Sequence, residues 1–260
     1  MTNVFERIDA MSSIVMLWPE EASADSGFAA DAALCSAVPP YVVVRHQILT
    51  SLRRLRDAAG LAKEDDGWGS HVLMLRPALV LAAKAAWIVR PDLSEERVGR
   101  TLGMLLDNQG RGAAAMRQVV SQGGMREFGD LADNFDRSSK KLTRGTSIAP
   151  LRPPGDQTMI LELGRDVDSY DGTVDTASDM QLLWNASSSL AHGETWFSQL
   201  SGGDRRKRLG DILTSRSFDS VCSGINTTSL RITWHATRSI ASTATLPQTL
   251  PQTLPQTTVP

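Results

Sequence analysis

The chain has 260 residues, 41% of them hydrophobic and 22% charged, with a formal net charge of −2. That length can bury one large core or two small ones, and the near-neutral balance excludes a global electrostatic pull toward nucleic acid or an anionic membrane. Cys35 and Cys222 are too few and too far apart for a disulfide framework or a zinc site, and they read as two buried, reduced thiols of a cytoplasmic protein.

No basic stretch followed by an apolar run opens the chain, so no signal peptide is expected. The most apolar segment, residues 72–89, is broken by Arg76, Pro77 and Lys84. Its unbroken part, residues 78–83, is far short of the roughly 20 residues that span a bilayer. The expectation is a soluble protein with no membrane partner.

Residues 1–40 read as an irregular leader. Val4, Ile8, Met11 and Val15 fit one amphipathic helix that Trp18-Pro19 stops, and the Ala/Ser/Asp mixture behind it is weakly patterned. Pro39-Pro40 then forces an extended turn. Val44, Ile48, Leu52, Leu55 and Ala59 recur at helical spacing, with Gly60 as the expected stop. Arg53, Arg54 and Arg56 on the opposite side read as a solvated basic face. Residues 72–89 are apolar almost all round, which predicts a central helix packed on several sides. Pro77 fits either its first turn or a kink in a longer helix.

Ser94 caps the next expected helix, with Glu95 and Glu96 in the first turn and Gly110 as its end. A further helix is expected over residues 113–120, closed by Gly123-Gly124, and another over 128–142. Residues 42–143 therefore predict about five helices and no sheet. Residues 144–157, with three prolines and two glycines, read as a long loop inside a single helical domain spanning 41–240. Residues 158–167 fit a short helix or strand. Further on, Asp204 caps a short helix carrying Arg205, Arg206, Lys207 and Arg208 in its first turn, an unfavourable place for cations. A last helix is expected over roughly 220–239. The closing repeat of Leu-Pro-Gln-Thr forbids helix and sheet, so residues 241–260 are expected to be a disordered tail.

The stretch from Ser178 to Trp196 is the best candidate site. Ser178 and Gln181 match a capping box, which starts the helix near Asp179, and Gly193 ends it. At about 100° per residue, Asn185, Ser188, Ser189 and His192 share one face. Leu183, Ala186, Leu190 and Ala191 take the other side, with Ser187 as a small residue for close helix approach. His192 falls in the last turn, where the carbonyl ends favour its charged form. There it can serve as a general acid or base, or hold a phosphate. The bland alternative is that His192 only caps its helix and packs under Trp196. His46, His71 and His235 show no ligand spacing to it, so no metal and no cofactor is expected.

The pattern LLWNASSSLAHG, preceded by LRPALVLAAKAAWIV and ERVGR, resembles HEPN-type helical proteins over roughly residues 42–240. The resemblance implies an all-α antiparallel helical bundle, often a homodimer whose signature helices meet across the interface. It also implies a composite RNA-cleaving site in active members, built from an arginine, a polar residue and a histidine. His192 matches the histidine. Asn185 stands where the arginine is expected and cannot supply positive charge, unless Arg76, Arg97 or Arg100 reaches the site from another helix.

Three functional readings follow. The first is a HEPN-like protein acting through the polar face around His192, in an RNA- or defence-related role. The second is a metal-independent endoribonuclease with His192 as general acid/base, Asn185 orienting the phosphate, and Ser188 lying between them. The third is a non-enzymatic interaction component of a toxin–antitoxin or defence pair, with a protein partner. Whether the chain is an enzyme stays open on sequence alone.

Overall fold

A computed structural model describes residues 2–64, 70–123, 125–144, 146–171, 175–192 and 203–237, the last segment with side chains from residue 215 to residue 236. Among these residues the secondary structure is all α-helix: α1 (Thr2–Met16), α2 (Gly27–Leu34), α3 (Pro40–Glu64), α4 (Ser70–Val89), α5 (Ser94–Ser121), α6 (Glu127–Arg144), α7 (Asp156–Asp171), α8 (Thr176–Ala191) and α9 (Gly203–Thr237).

Helix α4 occupies the centre because its sequence offers no polar side. Leu75, Leu79, Ala82, Ala86 and Ile88 are all buried, and α3, α5, α7, α8 and α9 pack around it. By length and composition alone α4 could cross a membrane, but here its apolar surface is the core to which the other helices attach. Pro77 sits inside α4, beyond the first turn. It removes one intrahelical donor, and next to it the Ser51 hydroxyl of α3 donates to the Ala78 carbonyl at 2.7 Å. Just beyond α4, Arg90 pairs with Glu162 and Asp166 of α7, and Arg231 of α9 reaches the same Asp166 at 3.8 Å.

Several expected boundaries move. α3 continues past Gly60 to Glu64. α5 runs unbroken through Gly110 and Gly112, so one helix replaces the two expected there. Gly112 has a packing reason: a Cβ there would lie 3.0 Å from the Phe135 ring of α6. The two helices expected after residue 203 are likewise one, α9. In the stretch expected to be irregular, α2 forms and buries Phe28 and Asp31 completely.

The burial of α2 depends on a charge pair. Arg97 of α5 is 1% exposed and Asp31 of α2 is 0% exposed. Arg97 Nε donates to Asp31 Oδ2 at 2.9 Å and Nη2 donates to Oδ1 at 2.7 Å. The remaining guanidinium hydrogens go to the carbonyls of Pro91, Asp92 and Gly27 and to the Ser94 hydroxyl. Burial pushes the Asp31 carboxyl above its ordinary value, while the hydrogen bonds and charge of Arg97 and the Ser94 hydroxyl pull it back down. A pair in this balance adds little over an apolar filling, yet losing one half strands the other.

Two close approaches shape the rest. Residues 146–155 form an extended strap across α5, where Leu151 N–H donates to the Gly99 carbonyl at 2.8 Å. A Cβ at Gly103 would lie 1.7 Å from the Leu151 carbonyl oxygen, so only glycine admits the strap. At the α7–α8 crossing, a Cβ at Gly164 would lie 2.4 Å from Ala177 Cα. Beyond the strap, among the described residues, α6 packs against α5 and no other helix, which makes α5–α6 a projecting arm.

Candidate functional site on α8

The start of α8 is capped from a distance rather than by its own Ser178. The Asp168 carboxylate of α7 accepts from the Thr176 and Ala177 N–H groups at 2.8 and 3.3 Å. An acid is well placed against the positive end of a helix. Asp175 precedes the helix at φ 59°, a left-handed conformation that short polar side chains tolerate. The expected start near Asp179 is therefore corrected to Thr176.

The inward side of α8 carries Met180, Leu183, Ala186 and Ser187. Ser187 is fully buried and donates its hydroxyl to the Trp184 carbonyl at 3.0 Å, a small residue where α8 meets its neighbours. Asn185 and His192 are exposed, and Ser188 is half-buried between them. Ser189, which helical periodicity puts on the same face, is buried instead. The expected stripe is thus an exposed Asn185–His192 pair with Ser188 behind it. His192 is the C-cap residue, and its N–H donates to the Ser188 carbonyl at 3.0 Å. Gly193 and Trp196 lie outside the described residues, as do the side chains of Arg205, Arg206, Lys207 and Arg208 and the tail 241–260.

Of the three arginines expected as candidates to complete the site, two are engaged elsewhere. Arg97 is locked on Asp31. Arg100 donates to the Trp87 carbonyl at 2.6 Å and pairs with Glu96. Arg76 does reach α8: its guanidinium carbon lies 4.1 Å from the centroid of the Trp184 ring, within the range of a cation–π contact. Among the described residues Arg76 has no carboxylate partner, so its five N–H donors retain capacity for another acceptor. Arg76 is one of two cations that break the otherwise apolar α4; the identity of its aromatic partner needed the fold.

The separation of these groups decides their chemistry. At 1.5 Å rise per residue, His192 lies about 12 Å along the α8 axis from Trp184. Arg76, stacked on Trp184, and the His192 imidazole therefore address different groups of a ligand rather than one reacting atom. Among the described residues, no group of three or more His, Cys, Asp and Glu side chains is arranged to hold a metal ion.

Together these features define an all-α helical bundle with an aromatic–cation pair beside an exposed polar helix face. No protein-family model, curated protein or solved structure matches the chain.

Proposed function

We propose that this chain is a HEPN-like helical protein that binds single-stranded RNA on the α8 face without cleaving it. The observation that carries this reading is Arg76 stacked on Trp184, with no carboxylate partner for it among the described residues. An aromatic ring and a guanidinium plane form the kind of platform on which unstacked bases settle, while the guanidinium edge takes a phosphate. Asn185 and His192, exposed farther along the helix, supply hydrogen-bonding groups for neighbouring nucleotides. In a homodimer with the two α8 helices facing each other, two such faces would line one groove.

Binding of a labelled single-stranded oligoribonucleotide in EDTA, followed by fluorescence polarisation, tests this. Arg76→Ala should weaken binding by about tenfold, the cost of a charge-assisted contact, and the recovered RNA should be intact. Equal affinity in Arg76→Ala would reject the proposal. RNA that is cut in EDTA by the wild type, and left whole by a folded His192→Ala variant, would replace it with the endoribonuclease reading.

A further inference from the structure

The strap divides two clefts. One, of about 590 Å³, is lined on its helix side by Trp87, Glu96 and Arg100. The other, of about 280 Å³, is lined there by Lys84, Asp107 and Arg111, among others. Arg152, Pro153, Pro154 and Gly155 wall both. The helix-side charges cancel in pairs, Arg100 on Glu96, Arg111 on Asp107, and Lys84 on Asp156 at 3.4 Å. Arg152 stands between the clefts, exposed, with no ion pair among the described residues. The two clefts together therefore carry one uncompensated positive charge.

Beside that charge the strap itself supplies apolar side chains. Leu151 lines the larger cleft with Pro153 and Pro154, and the two prolines bring no N–H. Gly155 and Asp156 stand at the start of α7, whose first N–H groups have no acceptor within the helix and add the positive end of its dipole.

We propose that the clefts beside the strap bind a small organic carboxylate with an apolar body. Arg152 takes the carboxylate, and Leu151, Pro153 and Pro154 cover the body. The planar guanidinium fork matches a carboxylate in two parallel hydrogen bonds. A single unpaired cation is neutralised by one negative charge, which favours a carboxylate over a phosphate dianion. The larger cleft falls within the usual range for small-molecule sites.

Titration of the full chain with benzoate, benzamide, acetate and phenyl phosphate, followed by amide-resolved NMR, tests the assignment. Benzoate should shift amides of residues 151–157 with a dissociation constant of about 1 mM or tighter. Benzamide lacks the charge and acetate lacks the body, so each should bind about tenfold more weakly. Arg152→Ala should weaken benzoate about tenfold, Arg152→Lys should recover part of the loss, and Arg76→Ala should leave it unchanged. Arg152→Ala should melt like the wild type, because the side chain has no described ionic partner to lose. Benzoate binding that survives Arg152→Ala, phenyl phosphate binding more tightly than benzoate, or no benzoate shift up to about 10 mM would each overturn the proposal.

Discussion

Replacing Asp31 with alanine removes the anion of a pair from which water is excluded. Arg97 then loses two charge-assisted hydrogen bonds, each worth about 1.5–3 kcal/mol. It keeps the carbonyls of Pro91, Asp92 and Gly27 and the Ser94 hydroxyl, which offset part of the loss. The expected net destabilisation is about 3–5 kcal/mol, the range for breaking one side of a buried pair. Against a total of about 5–15 kcal/mol this is a large fraction, and it should lower Tm by about 10 °C in a chain of this size. Urea unfolding followed by circular dichroism and tryptophan fluorescence measures it, with coincident transitions as the check on two-state behaviour. Arg97→Met should cost a similar amount, because it strands the Asp31 carboxylate. The double variant Asp31→Leu/Arg97→Met should be far less destabilised than the sum, since neither charge is then left alone. Single losses under about 1 kcal/mol, or losses that simply add, would refute the claim that this pair holds α2 on α5.

Two further predictions follow from close packing. Gly103→Ala drives a methyl group into the Leu151 carbonyl, so it should cost about 3 kcal/mol or more and open the strap to proteolysis. Gly110→Ala, in the same helix but with nothing within 4 Å, should stabilise by about 0.5–1 kcal/mol; equal effects in chemical unfolding would contradict this assignment. Burial pushes the Cys222 thiol up to about 11. Because the native pKa is raised, the stability this thiol contributes is complete below its ordinary value of 9.0. It is lost as pH rises through about 11, a change of about 2–3 kcal/mol. Alkylation of Cys222 at pH 8 should therefore track unfolding, and rapid labelling of the native protein would contradict its burial.

What the sequence revealed depended on whether a residue's partner lay within a few turns of it. α4 was legible because an apolar surface on all sides has no place except a centre. The exposure of Asn185 and His192 was legible because a helix repeats its faces locally. α2 was not, because its eight residues carry little periodicity and its place depends on Arg97, far along the chain. The continuity of α5 was hidden for a related reason: glycine reads as a stop unless the Phe135 ring that needs the space is known. At the candidate site, periodicity placed Ser189 outside, where burial overrides it. The Asp168 cap, which replaces the expected Ser178 box, belongs to the neighbouring helix and leaves no local signature.

The projecting arm has a consequence for how this chain can vary. Since α5 is the one helix that α6 packs against among the described residues, and only the Leu142 end of α6 joins the small core at the root of the arm, whole turns could be added to or deleted from the outer ends of both helices in step without altering one contact of the central core. The strap, tied to α5 at Gly99 and Gly103 near the root of the arm, would keep its place through such changes. The reach of the arm is thus a dimension that the core does not dictate, open to adjustment by indels that the rest of the molecule would not register.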